Sequence, residues 1–322
     1  MVGRPSLPER PPRVSIIVNC LNGQQFLREA LDSVSCQTFS DWEVVFWDNA
    51  STDDSAVIAS SHDHRVRYFR SHVTTTLGEA RRRAVEQARG ELVAFLDCDD
   101  VWFPHTLETL VSAMDSGPWA VCYGGFLRIN ESGYETGRFV PPEQSGDLFG
   151  SLLRQFQIAV PAVMLRRSVL EKTGLSFDAN AMASEEYCLF MQLAATEAFK
   201  ALSQPVAKYR VHDGSLTNQT IERWGRERDY TLKRIIERHP GIVRRHHREF
   251  REAFARARYY RARWLVAQNR RFEALTHLAP CAYVNVRYAV LTITLLFPKS
   301  LWNSLHRWRT KRGTATLNQQ NN

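Results

Sequence analysis

Residues 14–55, VSIIVNCLNGQQFLREALDSVSCQTFSDWEVVFWDNASTDDS, carry the pattern from which the fold is read. Residues 14–18 form a short apolar run rich in β-branched side chains, which reads as a buried strand. Residues 24–37 then place Phe26, Leu27, Ala30, Leu31 and Val34 on one helical face, and residues 43–47 return to a strand pattern. The alternation continues outward with a helix predicted over 53–60, a strand over 66–69, a helix over 77–89 stopped by Gly90, and a strand over 92–96. Strands recurring between helices of this length imply βαβ crossovers and a mostly parallel sheet covered on both faces. Ligands of such open sheets lie beyond the carboxyl ends of the strands, so the polar segments 19–23, 48–53 and 97–100 are where chemistry is expected.

Farther along, a helix is predicted near 104–114, a strand near 119–123, a Gly/Pro-rich polar stretch over 130–146, a strand near 160–166, a helix over 184–195 and a strand over 205–209. That order is mixed, as in an α/β core extended by antiparallel strands. From residue 221 onward the patterns are helical only, over 221–238, 243–268, 271–278 and 284–296, with breaks at Pro240, Gly241 and Pro280. The chain is therefore expected to divide into an α/β catalytic part, 1–220, and a helical basic part, 221–322.

Charge follows that division. The net +8 of the 322 residues conceals 22 Lys/Arg against 7 Asp/Glu in 221–322, and 20 against 27 in 1–220. With 44% hydrophobic and 24% charged side chains, disorder, collagen and a disulfide miniprotein are excluded. Six scattered cysteines lack metal-ligand spacing and read as reduced thiols, and the Pro/Arg-rich start lacks the apolar run of an export signal, so a cytoplasmic location is expected. The longest apolar stretch, 288–297, falls well short of the roughly 20 residues that span a bilayer.

Arginines 244, 245, 248, 251, 256, 258, 261 and 263 surround Phe250, Phe254, Tyr259, Tyr260 and Trp264 in an amphipathic pattern. The apolar 288–297 stretch precedes Lys299, Trp302, His306, Arg307, Trp308, Arg309, Lys311 and Arg312. Tryptophans beside basic residues suit an anionic membrane surface, so peripheral attachment at the inner face of a membrane is expected in preference to nucleic-acid binding. A solvated basic face or a homo-oligomer interface is the alternative.

The sharpest local feature is FLDCDD, residues 95–100, where an apolar strand ends in Asp97, Asp99 and Asp100. Alternation along an extended segment would turn Asp97 and Asp99 to one side, and carboxylate ligands suit Mg²⁺ or Mn²⁺ shared with substrate phosphates. A solvated acidic turn is the plainer alternative.

Set together, these motifs resemble the inverting family 2 glycosyltransferases. Leu27, Ala30, Leu31, Ser33, Val34, Gln37 and Thr38 stand at that family's helix positions, Asp48–Asp53 at its Asp-Asp-Gly-Ser-x-Asp loop, and LGEARRRAVEQARGELVAFLDCDDVW (77–102), SEEYCLFMQLA (184–194) and YRVHDGSLTN (209–218) continue the match. The resemblance implies a GT-A fold, a nucleotide-diphosphate sugar donor, a glycan or glycolipid acceptor, and Mn²⁺ or Mg²⁺. It implies that Asp48 reads the base, that Asn19 and Leu21 border the nucleotide, that Arg81 lies beside it, with Arg83 either joining it or, because successive arginines on a helix point in different directions, solvated, and that Asp97 contacts the ribose or a metal-bound water. Asp99 would hold the metal, with His212 near the metal or diphosphate, and Trp102 would wall the sugar, an ordinary core tryptophan being the equal alternative. Glu186 stands at the base position, one methylene longer than the family's Asp, with Glu185 as a substitute. Asn49 and Ala50 replace the family's second Asp and Gly. Two other readings are a non-catalytic glycan- or nucleic-acid-binding protein on the same fold and a nucleotidylyltransferase, but the Gly-rich, Lys-containing phosphate loop of the latter is absent from 19–25.

Overall fold

The computed structural model describes residues 10–212, 221–297 and 302. It begins with β1 (Val14–Cys20), α1 (Gln24–Ser35), β2 (Trp42–Asp48), α2 (Ser55–Ser60), β3 (Val66–Arg70), α3 (Leu77–Glu86) and β4 (Leu92–Asp97), the alternation predicted from the apolar periodicity. Then come β5 (Val101–Trp102), α4 (Thr106–Asp115), β6 (Val121–Ile129), β7 (Glu135–Phe139), β8 (Gln144–Gly146), α5 (Phe149–Arg154), β9 (Val163–Arg166), α6 (Arg167–Thr173), α7 (Glu185–Ala194) and β10 (Phe199–Arg210). The helical part contains α8 (Ile221–Arg238), α9 (Ile242–Arg245), α10 (His247–Ala267), α11 (Arg271–Leu278) and α12 (Val286–Thr294).

The sheet runs β3-β2-β1-β4-β9-β6-β10-β5, with β7 added on β6 and β8 on β10. Strands β1 to β4 are mutually parallel where they pair, and β9 joins β4 antiparallel, so the sheet is mixed. Side chains alternate across it. Val14, Ile16 and Val18 of β1 pack under α1 and α4, whereas Ile17 faces the cluster formed with α3, α7 and the helical part. Both faces are thus buried, which is why the central strands are apolar throughout.

Short elements were not legible: β7 and β8 carry almost no apolar residues, and α5 and α6, though they reach the core through Phe149, Leu152, Leu153 and Val169, are too short to show a helical period. The strand expected to begin at Pro205 starts earlier, at Phe199, and carries Pro205 through a register irregularity against β6. An irregular register relieves proline's missing donor, so it need not end the strand.

Helices α8 and α10 are not a detached arm. Leu232, Ile235, Phe250 and Ala253 join the same apolar cluster as α3 and α7, while Tyr259, Leu265, Leu278, Tyr288, Leu291 and Trp302 belong to a separate cluster. Gly225 lets α8 and α10 approach, since a Cβ there would lie 2.6 Å from the Ala257 carbonyl oxygen. No helix among the described residues is long and apolar enough to cross a membrane. The expected boundary at 220/221, residues 1–9, the 213–218 end of the Tyr-Arg-Val-His motif, Lys299, the basic run from His306 to Arg312 and the Gln/Asn tail lie outside the described residues.

Candidate functional site

The strand order reverses between β1 and β4, and register places Asn19 beside Asp97 and Cys20 beside Asp48 at the carboxyl ends of the strands. Such a reversal opens a crevice where ligands bind. At its floor Asn19 is 7% exposed and its amide nitrogen is buried without a partner, while Leu21 on the rim is 46% exposed.

After Asp97 the chain turns, with the Asp100 N–H donating to the Asp97 carbonyl at 3.1 Å. The segment is therefore not extended, and the alternation argument for Asp97 and Asp99 does not hold. Their side chains take different partners. Asp97 accepts from Arg81 Nη2 at 2.6 Å, whereas Asp99 Oδ2 lies 2.9 Å from His212 Nε2. Both carboxylates stay partly open, at 27% and 29% exposure. Burial, and then the charge of Asp97, push the Asp99 carboxyl above its usual range against the pull of His212. Asp100 is structural: it is 1% exposed and one oxygen accepts the Arg210 N–H at 2.8 Å.

Arg210 is a residue that motif reasoning passed over. Its guanidinium donates to the carbonyls of Asp99, Asn130 and Glu131 and to Glu29 of α1, pinning the acidic turn from behind. Phe26, expected in the core face of α1, lies instead under Arg210 at 4.6 Å and against the His212 ring at 5.2 Å. The sequence signal was present in the Tyr-Arg-Val-His motif, where only the histidine was weighed.

Across the crevice, Arg81 of α3 is 2% exposed and bridges Asp97 to Glu185 at the start of α7. Burial opposes the guanidinium charge, and Asp97 and Glu185 outweigh it and raise the pKa of Arg81. Burial pushes Glu185 up to about 8 against the attraction of Arg81. Gly78 permits the close approach of α3 to this region, because a Cβ there would meet the Asp178 carbonyl oxygen at 2.0 Å. Glu186, by contrast, makes no ion pair with any described residue and is half-buried; burial, against the pull of Arg228 and Arg81, raises its pKa. Glu227 of α8 holds this turn, accepting from the backbone N–H groups of Met182, Ala183 and Ser184 at 3.1, 3.0 and 2.8 Å. Nothing in the sequence reading pointed to Glu227.

The third loop is built on Asp48, which is fully buried and accepts from the Ser51 N–H, the Tyr68 hydroxyl and Arg70 at 2.7, 2.6 and 3.0 Å. Asn49 both donates to and accepts from Thr75, an exchange that a carboxylate in its place could not make. Ala50 adopts φ 69, the left-handed conformation for which the family's Gly is suited.

Two residues take the plainer of their two readings. Trp102 is 2% exposed, with its indole N–H on the Pro161 carbonyl, and is a core residue without a face toward the crevice. Arg83 lies on the outer side of α3 in a pair with Glu79, since successive helical residues point about 100° apart. Asn19, Leu21, Asp48, Asp97 and Asp99 lie at or just after the carboxyl ends of β1, β2 and β4, His212 follows β10, Glu185 and Glu186 open α7, and Arg81 lies within α3.

Residues 15–174 match the family described as glycosyl transferase family 2. An uncharacterized glycosyltransferase of Rickettsia felis is 27% identical over 64% of this chain, and the chain spans only 34% of that relative's length. The UDP-Glc:alpha-D-GlcNAc-diphosphoundecaprenol beta-1,3-glucosyltransferase WfgD of Escherichia coli is 26% identical over 67% of this chain and 84% of its own. Among solved structures, Staphylococcus aureus TarS 1–349 in complex with UDP-GlcNAc superposes with TM-score 0.63 at 17% identity, covering 88% of this chain and 87% of that one. The mannosyltransferase PcManGT of Pyrobaculum calidifontis, in complex with GDP-Man and Mn²⁺, gives 0.57 at 19% identity, covering 94% and 86%. At these identities the likeness is one of fold, and that fold is the GT-A type expected from the motifs. By its matched domain, its curated relatives and its fold, the chain belongs to glycosyl transferase family 2.

Proposed function

We propose that this chain transfers a sugar, with inversion, from a nucleotide-diphosphate donor to a hydroxyl of a glycan or glycolipid acceptor in cell-surface polysaccharide or glycolipid synthesis. The observation that carries this is the contrast within the acidic pair. Glu185 is consumed by Arg81, while Glu186 stands without an ion pair at the crevice. Burial that raises its pKa makes Glu186 a stronger base. Its carboxylate takes the proton of the acceptor hydroxyl as that oxygen attacks the anomeric carbon, and the diphosphate leaves from the opposite face. Arg81 holds Asp97 and the start of α7 in one rigid unit, which fixes the base relative to the donor loops.

Asp99 and His212, adjacent and partly open, have the donor chemistry for Mn²⁺ or Mg²⁺. No cluster of three or more His, Cys, Asp or Glu side chains that could hold a metal ion exists among the described residues, so an ion held by Asp99 and His212 would take its remaining ligands from water and substrate oxygens. When bound, such an ion supplies positive charge to the leaving diphosphate. The base of the nucleotide would lie against the Asp48–Ser51 loop, with Asn19, Leu21 and Asp97 bordering the nucleoside. A thermal-shift series with UDP-, GDP- and dTDP-sugars, with and without Mn²⁺, tests the reading. A metal-dependent rise with one of them, lost in Asp99→Asn, is expected; no rise with any would overturn it.

The same reading places the chain peripherally on the anionic inner face of a membrane. Val286, Val290, Ile293 and Phe297 are 73%, 44%, 56% and 49% exposed along α12 and its end, spaced to share one helical face. After Glu273 the sequence contains no acidic residue but six Lys/Arg, the composition an anionic surface attracts.

A further inference from the structure

Arg228 of α8 stands beside the proposed base without a carboxylate of its own. No ion pair joins it to any described residue, and its Nε is buried with no hydrogen-bond partner. Aromatic rings surround the guanidinium: Tyr187 at 4.6 Å, Tyr260 at 5.0 Å, and Phe156 and Trp224 each at 5.9 Å. The rings brace one another, with Phe156 edge-on to Tyr187 at 5.0 Å and Trp224 edge-on to Tyr260 at 5.4 Å. Trp224, one helical turn before Arg228, also has a buried indole N–H with no partner.

Two orphaned donors and a positive charge in one aromatic box are costly to fold around nothing, because each buried donor forgoes a bond to water. The box is not closed. Phe156, Trp224, Arg228 and Tyr260 are each half-buried and form an open rim, Tyr187 is buried as the floor, and the two orphaned donors lie inside. Its position is set by the active site. Tyr187 directly follows Glu186, and Glu227, the neighbour of Arg228, fixes the turn before α7.

We propose that Trp224 and Arg228 form an acceptor subsite for an anionic group, phosphate or carboxylate, carried next to the sugar whose hydroxyl is presented to Glu186. The guanidinium fork and the indole N–H take the anion's oxygens, and the faces of Trp224, Tyr260 and Phe156 receive the ring. This rests on the transferase reading above for the identity of Glu186. It extends that reading by assigning the acceptor a negative charge and by giving the helical part a direct role in acceptor choice.

The test is binding, which requires no turnover and so separates this inference from the transfer reaction. Phenyl phosphate, benzoate and the neutral benzyl alcohol are titrated calorimetrically into the full chain, its Arg228→Gln and Arg228→Lys variants, and Asp99→Asn. The expected result is that one or both anions bind wild type and Asp99→Asn alike, that Arg228→Gln weakens them about tenfold or more, as loss of a charge-assisted pair implies, and that benzyl alcohol is too weak to detect. Arg228→Lys, which keeps the charge and loses the fork, should fall between. Preference for phenyl phosphate points to a phosphate-bearing acceptor and preference for benzoate to an acidic sugar. Anion binding that survives Arg228→Gln, that disappears in Asp99→Asn, or that is absent from wild type overturns the proposal. So does a lower melting temperature in Arg228→Gln with anion affinity unchanged, which assigns the residue to packing alone.

Discussion

Replacing Glu227 by Ala removes the acceptor for three backbone N–H groups on the turn that starts α7, those of Met182, Ala183 and Ser184. Ser184 is fully buried, so its N–H loses a charge-assisted bond without replacement by water, at about 2 kcal/mol. Met182 and Ala183 are half-buried and regain solvent, so each contributes about 0.5 kcal/mol, for a total near 3 kcal/mol. For a chain of this length the unfolding entropy is about 0.6–0.7 kcal/mol/K, and the loss converts to a melting-temperature drop of about 4–5 °C. Activity should fall further than stability. Glu186 follows this turn directly, and a displacement of about 1 Å at a reacting group costs on the order of a hundredfold in rate. The assays are denaturant unfolding and transfer from whichever nucleotide sugar binds. A melting shift under about 1 °C, or the full shift with turnover within twofold of wild type, would refute the reasoning that α8 positions the base.

The other predictions are local. Glu186→Gln should reduce transfer by about 10²–10⁴ with little change in melting temperature, since it removes a proton acceptor that has no ion pair, and full activity in this variant would move the role elsewhere. The acid limb of the kcat/KM profile should lie above the ordinary glutamate range. Because the folded pKa of Glu186 is raised, its basic form is lost as pH falls through that higher value, and a limb at or below pH 4.5 would contradict the assignment. Ala50→Gly should stabilise the protein by about 0.5–1 kcal/mol by relieving a left-handed alanine, measured as a higher urea midpoint; a lower midpoint would count against strain there. Val290→Ser with Ile293→Ser should reduce co-sedimentation of the full chain with vesicles containing phosphatidylserine, and unchanged sedimentation would remove α12 as the membrane-facing element.

The parts of the fold legible in the sequence were those whose period had a single physical cause. Val14, Ile16 and Val18 alternate with Ile17 because a central strand buries both faces, and Leu27, Ala30, Leu31 and Val34 recur because α1 buries one. The acidic end of β4 was visible because carboxylates after an apolar run stand out locally, whereas the glutamate pair of α7 was marked only by the resemblance to the family. Less visible were residues whose partners are remote. Arg210 reaches Glu29, 181 positions away, and Glu227 reaches Ser184 across 43. No local pattern encodes such a contact. Arg81 and Arg83 look alike in the sequence, yet one is the buried bridge between Asp97 and Glu185 and the other a surface pair, a difference set by helix rotation and by what packs against α3.

By itself the sequence determined the α/β alternation, the three polar loops at the strand ends and the helical character of the basic part, all of which follow from short-range periodicity and turn chemistry. The tertiary structure decided which carboxylate of the pair is in an ion pair, that Trp102 belongs to the core, and that α8 fixes the turn before α7 through Glu227 and sets Arg228 among aromatic rings. Those outcomes depend on burial and on distances between segments far apart in the chain. Charge pairing is a three-dimensional property, and one side chain's composition carries no record of the partner it will meet.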